Sequence, residues 1–340
     1  MELVSGSKKL RWGVLGVAKI GMTKVIPAMQ RGRSSEVVAI ASRESGRAAE
    51  AAALLGIPKS FGSYAALLAD PDVDAVYIPL PNHLHVPWST RAAEAGKHVL
   101  CEKPIGLSSG EVRRLIAARD RTGVVIQEAF MVRSHPQWIA ARDLVREGRI
   151  GEPRSMLGHF SYYNDNPANI RNVPEFGGGA LMDIGCYLIN TSRFIFEREP
   201  LRVAGAVDID PVLGVDRTAS MMLDFDGRQF AGTCSMQMAP YQRIQIFGAA
   251  GRIDIEIPFN APPDRACRVL LDATGPGAAT EIIEITVCDQ YTLQADRFAG
   301  AVLNGERVSS PLEDSLHNML CIEAVLRSAR SGRWEAPEAG

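Results

Sequence analysis

The segment Gly13-Val14-Leu15-Gly16-Val17-Ala18-Lys19-Ile20-Gly21 constrains the fold more than any other part of the chain. It reads as an apolar strand, a glycine turn and the start of a helix. The relevant frame is Gly16-x-Ala18-x-x-Gly21, a G-x-G-x-x-G pattern with alanine at the second glycine. In such a pattern the first glycine permits a tight turn. The second lets backbone approach a pyrophosphate, and the third lets helix pack on strand. Alanine keeps most of that clearance but adds a methyl group. The helix N-terminus then offers N–H donors and the positive end of its dipole to phosphates. An ordinary glycine turn would carry the same trio. Two neighbours speak for a dinucleotide: the apolar strand directly before, and a second strand ending roughly twenty residues after.

That second strand ends in Ala41-Ser42-Arg43-Glu44. NAD enzymes usually present an acidic residue here to the ribose hydroxyls. This chain presents Ser42 and Arg43. Arginine pairs with a 2′-phosphate through charge-assisted bonds, so NADP(H) is the favoured cofactor. Glu44 comes one residue late and keeps NAD(H) open. A solvated surface charge is the plain alternative for Arg43.

The pattern around the fingerprint predicts a parallel, doubly wound sheet. Strands are expected at 12–17, 37–41, 75–78, 98–101 and 124–128. Helices are expected at 19–31, 45–55, 64–69, 87–95 and 109–122. Strands alternating with helices imply parallel pairing and right-handed crossovers. After about residue 150 the grammar changes. Strands are expected at 155–163, 203–210, 219–225, 229–236, 243–247 and 282–287. Few helices lie between them. Asp226-Gly227 separates two of these runs and signals a hairpin. One helix is expected from Gly179 to Phe196 and another from Leu312 to Ser331. The second half therefore reads as an α+β domain on a large, open, mostly antiparallel sheet. The expected domains are 1–130 and 131–340, with the 312–331 helix able to pack back on the first.

Bulk properties exclude several classes. The 340 residues carry a formal net charge of −2, without the basic stripe that nucleic acid requires. No window reaches the ~18 apolar residues of a membrane span. The first residues lack an apolar stretch with a small-residue cleavage site, so export is not expected. The six cysteines form no C-x-x-C pair and suit a reducing cytoplasm as buried small hydrophobes. A small-molecule substrate is expected.

Two further segments carry chemistry. Cys101-Glu102-Lys103-Pro104 lies at the C-terminal end of a strand, the edge where open α/β sheets bind ligands. Phe176-Gly177-Gly178-Gly179-Ala180-Leu181-Met182-Asp183-Ile184-Gly185-Cys186-Tyr187 opens a helix that places Asp183 and Tyr187 four residues apart, on one face. Taken singly, a surface lysine or a structural Tyr–Asp pair would look the same.

Together these segments resemble the Gfo/Idh/MocA oxidoreductase family over nearly the whole chain. The resemblance rests on the fingerprint, Tyr77-Ile78-Pro79-Leu80-Pro81-Asn82-His83-Leu84-His85, Glu102-Lys103-Pro104 and the glycine-rich Asp183/Tyr187 helix. It implies a Rossmann domain, a second domain with an open sheet, and hydride transfer between nicotinamide and a sugar, polyol or related alcohol. Many members carry histidine where this chain has Tyr187. The tyrosine form is similar to the subgroup of glucose–fructose oxidoreductase, certain sugar dehydrogenases and ketoreductases, and dihydrodiol dehydrogenase.

The resemblance implies roles for particular residues. Gly16, Ala18, Lys19, Ile20, Gly21, Ser42, Arg43, Pro79, Leu80, Asn82, Glu102, Lys103 and Tyr291 are expected at the cofactor. His85 is expected near the nicotinamide ribose, and His83 in a structural role. Gln290 is expected with Tyr291, just ahead of a helical stretch. Lys103, Asn164, Arg171, Asp183 and Tyr187 are expected at the substrate, with Asn169 in the same loop. A loop salt bridge is an equal reading of Arg171. Tyr187 is the expected general acid/base, because a nearby ammonium can lower a phenol's pKa toward the working range. Lys103 would tune it and polarise the substrate oxygen, and the two roles are exchangeable. Asp183 would orient hydroxyls and hold the lysine. His83 and His85 lack a carboxylate cluster, so no metal site is expected. His159 has no evident partner in sequence. Two other activities stay open: glycoside cleavage assisted by bound nicotinamide without net redox, and a non-catalytic cofactor-binding regulator. A half-apolar face of the open sheet suggests a homodimer or homotetramer.

Overall fold

The computed structural model describes residues 8–273 and 279–338. Residues 1–7, which bear on the expectation of no export signal, lie outside the described residues. The first elements are β1 (Leu10–Leu15), α1 (Ile26–Arg31), β2 (Ser35–Ala41), α2 (Ser45–Leu55), β3 (Lys59–Phe61) and α3 (Tyr64–Leu68). They continue with β4 (Ala75–Ile78), α4 (His85–Glu94), β5 (His98–Cys101), α5 (Ser109–Thr122) and β6 (Ile126–Glu128). The strands order as β3-β2-β1-β4-β5-β6, all parallel. This order reverses direction beside β1, the switch point where open α/β sheets bind ligands. β4 is buried throughout, as a strand covered on both faces must be.

A π turn at Gly21–Val25 precedes α1. Pro27 explains it, because proline offers no N–H and its ring crowds the carbonyl four residues back. The helical run from Lys19 to Arg31 is otherwise as expected.

The rest of the chain forms α6 (Pro136–Arg146), β7 (Pro153–Tyr163), α7 (Cys186–Phe196), β8 (Arg202–Ile209), β9 (Asp216–Asp224) and β10 (Gln229–Ser235). Then follow β11 (Gln237–Gly248), β12 (Gly251–Ile255), β13 (Cys267–Ala273), β14 (Thr280–Ile285), α8 (Gln290–Asn304) and α9 (Leu312–Ser331). The eight-stranded sheet has the order β14-β13-β12-β11-β7-β10-β9-β8. Only the β7–β10 pairing is parallel among the described residues. Asp226 and Gly227, at φ 57° and 86°, turn β9 into β10 as the hairpin signal predicts.

The chain divides into two units. The first holds residues up to Ile105, Glu111–Ser134 and Asp289–Glu313. The second holds Gly106–Gly110, His135–Cys288 and the residues from Asp314 onward. The first unit thus recruits α8 from far along the chain. Phe298 of α8 meets Trp12 of β1 at 5.1 Å between ring centroids, and both are fully buried. Burying such a side chain contributes roughly 1.5–3 kcal/mol.

In the second unit, α7 covers one face of the eight-stranded sheet. Every residue of α7 is buried, including Arg193. That guanidinium pairs with Glu199 at 2.6 Å and Asp314 at 3.0 Å, which compensates its burial. The opposite face leaves apolar side chains in water. Met222, Ala231, Leu157 and Gln245 lie in one register row across β9, β10, β7 and β11. Met222 and Leu157 are 42% and 43% exposed.

Candidate active site

The expected site residues are divided between the two units, and in each unit they are organised by buried partners of that unit. In the first unit, Gly16 ends β1 with φ 115°, and its N–H bonds to Ala41 O at 2.9 Å. A Cβ at Gly16 would stand 2.9 Å from Leu80 Cδ2. Glycine is therefore required at this turn twice over, by backbone angle and by space. The turn leads directly into the helical run at Lys19. A glycine turn running into a helix N-terminus offers backbone N–H groups of the kind that fit a pyrophosphate.

Arg43 and Glu44 follow β2 on the surface, while Ser42 is buried and its Oγ accepts the Glu44 N–H at 3.3 Å. Arg47 joins Arg43 here. Both guanidinium groups act on the Tyr64 hydroxyl, although burial still raises that phenol. Two cations thus stand beyond β2, of the kind that forms charge-assisted bonds with phosphate oxygens. Arg47 was not anticipated; it stands four residues beyond Arg43, one helical turn into α2.

Lys103 lies just past the end of β5, half-buried, and its bond to Pro104 is cis. The neighbouring residues are gripped by buried groups. Tyr77 on β4 donates its hydroxyl to Glu102 Oε1 at 2.7 Å. Burial and the adjacent Glu102 hold the Tyr77 phenol well above its ordinary value, so it stays a donor. Glu128 on β6 accepts the Ile105 N–H at 2.8 Å. The His85 ring sits 2.7 Å from both Pro104 O and Leu80 O.

In the second unit, Ala180 begins the helical run that becomes α7, and a π turn spans Leu181–Gly185. Asp183 lies in that turn and Tyr187 in the first turn of α7. A π turn makes four residues slightly less than a full turn, so the two remain on one face. Both are buried, at 9% and 5% exposure. Tyr162 on β7 donates to Asp183 Oδ2 at 2.6 Å, and Arg171 Nε donates to Oδ1 at 3.0 Å. Burial and the Asp183 charge raise the Tyr162 phenol, which keeps its proton on the tyrosine. Phe160 and Phe259 stack at 4.5 Å between centroids, and the Tyr187 ring packs beside that pair, 6.0 and 5.6 Å from the two.

The start of this helix is seated on Asp216 of β9. Its carboxylate accepts the Leu181 N–H at 2.6 Å. Gly179 has φ 117°, and a Cβ there would collide with the Asp216 carboxylate. The glycine run thus serves close approach of backbone to a buried acid. Burial pushes Asp216 up to about 7, against the pull of the backbone N–H groups it accepts.

Other expected residues take definite places. His85 is fully buried with both ring nitrogens against backbone carbonyls, so it does not present itself to a ribose. Arg171 forms an ion pair, one of the two readings open for it, and its partner is Asp183, itself expected at the substrate. Asn164 Oδ1 accepts the Asn166 N–H, and Asn169 Oδ1 accepts the Arg171 N–H, so both amide oxygens brace the loop itself. Gln290 and Tyr291 open α8 rather than precede a helix, and Asp289 caps them by accepting the Tyr291 N–H at 2.9 Å. Gln290 is 3% exposed. Tyr291 is half-buried close enough to Glu102 to feel its charge. His159 does have a partner, Ser161 Oγ at 3.2 Å. Among the described residues no group of three or more His, Cys, Asp or Glu is placed to hold a metal ion. No described helix is long and apolar enough to cross a membrane.

Comparison with known proteins shows the family and the fold. Residues 10–130 match the model of the Gfo/Idh/MocA oxidoreductase family, NAD-binding Rossmann fold. Residues 138–254 match that family's C-terminal domain. An uncharacterised oxidoreductase of Rhizobium meliloti is 49% identical over 96% of this chain and 98% of its own. The D-xylose 1-dehydrogenase (NADP(+)) of Haloferax volcanii is 39% identical over 95% and 98%. A 3-ketoreductase from Actinomadura kijaniata, solved with NADP and TDP-benzene, superposes with a TM-score of 0.88 at 33% identity, covering 94% and 98%. That reductase has also been solved with a tyrosine replaced by phenylalanine and with a lysine replaced by alanine.

Proposed function

Because the chain belongs to the Gfo/Idh/MocA oxidoreductase family, we propose that it is an NADP(H)-dependent dehydrogenase or ketoreductase acting on a sugar, polyol or related hydroxy or keto compound. The observation that carries this reading is Asp183, held by Tyr162 and Arg171 on the same helical face as Tyr187. A pre-set carboxylate beside a phenol suits a substrate rich in hydroxyl groups.

When bound, the nicotinamide supplies or accepts hydride at the reacting carbon. Gly16, Ala18, Lys19, Ile20 and Gly21 would hold the pyrophosphate. Ser42, Arg43 and Arg47 would meet the 2′-phosphate, and Pro79, Leu80, Asn82, Glu102 and Tyr291 would line the remainder. Two cations after β2, and the NADP named for the Haloferax and Actinomadura proteins, support NADP(H) over NAD(H).

Tyr187 moves the proton at the substrate oxygen, and Lys103 polarises that oxygen and lowers the phenol's pKa. The variants made in the Actinomadura reductase concern the same two residue types. Asp183 and Arg171 orient the substrate's other hydroxyls. Lys103→Met and Tyr187→Phe each lower kcat by roughly 10²-fold or more.

The test is an aldose and polyol panel with NADP+, read by reduced-cofactor absorbance. Turnover of at least one member supports the reading. Release of an aglycone without accumulating NADPH would replace it by cofactor-assisted glycoside cleavage. We further propose a homodimer or homotetramer built on the outer sheet face around Leu157 and Met222. A monomer by light scattering at micromolar concentration would contradict that assembly.

A further inference from the structure

Lys103 carries its proposed role only if its position is fixed. The residue after it, Pro104, faces a ring that belongs to a different element. His85 opens α4, and its Nδ1 lies 2.7 Å from Pro104 O. Its Nε2 lies 2.7 Å from Leu80 O. Leu80 is the residue whose side chain closes over Gly16. One buried ring therefore spans from the loop at the nucleotide turn to the turn that carries Lys103.

The ring has no other visible task. It is fully buried, and the polar contacts found for it are these two carbonyls. Carbonyl oxygens only accept, so each ring nitrogen needs a hydrogen to bond its partner. An imidazolium bonds both carbonyls, whereas a neutral ring bonds one and turns a lone pair toward the other. Burial draws His85 down to about 4, against the opposing pull of the Pro104 and Leu80 carbonyls. The two 2.7 Å contacts define the span between those carbonyls.

We propose that His85 is a positioning residue for Lys103, setting the separation between the Leu80 and Pro104 carbonyls and so tying the nucleotide loop to the catalytic lysine. It rests on the reading of Lys103 given above. Glu128, through the Ile105 N–H, secures the far side of the same turn.

His85→Phe keeps the ring's bulk and removes both nitrogens. Two measurements test the proposal. The first needs no turnover: Lys103 is labelled competitively with acetic anhydride and quantified by mass spectrometry, with exposed Lys24 as internal standard. The Lys103 rate is expected to change by about threefold or more in His85→Phe, equivalent to about half a pH unit, while Lys24 is unchanged. The second is a double-mutant cycle with Lys103→Met, using NADP+ and the fastest-oxidised member of a D-xylose, D-glucose and D-galactose set. His85→Phe is expected to lower kcat on the order of tenfold in the wild-type background and by less than about twofold beside Lys103→Met. Equal losses in both backgrounds, or an unchanged Lys103 labelling rate, would overturn the proposal. Wild-type turnover by Lys103→Met alone would instead remove the functional reading beneath it. Should His85→Phe not fold, His85→Asn is measured by the same criteria, since its shorter side chain cannot span both carbonyls.

Discussion

Tyr162 donates its hydroxyl hydrogen to Asp183 across 2.6 Å, fixing a carboxylate four residues from Tyr187. A hydrogen bond to a charged group contributes roughly 1.5–3 kcal/mol. Tyr162→Phe therefore leaves Asp183 less firmly oriented, with Arg171 still paired to its other oxygen. We expect kcat/KM for the sugar substrate to fall roughly tenfold or more. Steady-state kinetics check this. A variant with wild-type kcat/KM would show that Asp183 does not depend on Tyr162.

Asp216 links the same helix to pH. Its folded value, about 7, exceeds the ordinary 3.8, so the native state binds this proton more tightly than the unfolded chain. The resulting stability is fully present below about pH 4 and is lost as pH rises through about 7, amounting to roughly 4 kcal/mol over that window. Asp216→Asn keeps an oxygen for the Leu181 N–H and removes the titration. Urea unfolding at about pH 5 and about pH 7.5 should show the wild type losing more stability than the variant. Equal losses would mean that Asp216 does not titrate in this range.

Cofactor choice is the third point of contact. Arg43 and Arg47 stand together beyond β2, where the charges of both act on the Tyr64 hydroxyl. Arg43→Ala should weaken NADPH binding by about ten- to a hundredfold and leave NADH binding nearly unchanged. Fluorescence titration with both cofactors measures it. An unaltered NADPH preference would place the 2′-phosphate elsewhere.

Local signals made much of the first unit legible. α2, β4, β5 and α5 fall at their expected bounds, because short apolar runs there are separated by Gly, Pro and Ser. α9 does the same in the last stretch. β3 escaped notice because it is three residues long and none is fully buried. α6, β12 and β13 were missed as well. β12 is largely buried on both faces and lacks the alternation that marks a half-covered strand. The chemistry-bearing residues lie in local motifs and could be read directly. Their supports could not. Tyr162 is 21 residues from Asp183, Asp216 is 35 from Leu181, and Glu128 is 23 from Ile105. Such pairings arise from sheet topology, and no short-range spacing announces them. The same holds for His85, whose ring looked like a ligand contact until its two carbonyl neighbours were placed.

In the proposed reaction this chain moves hydride between a hydroxylated carbon and the nicotinamide, with Lys103 and Tyr187 handling the proton. The most direct measurement uses a sugar deuterated at the carbon that is oxidised, with NADP+ and the wild-type, Lys103→Met and Tyr187→Phe proteins. Deuterium is expected at the nicotinamide C4 of the NADPH formed, at a rate about 10²-fold lower in each variant. Deuterium released to water without accumulation of NADPH, or variants as fast as the wild type, would contradict it.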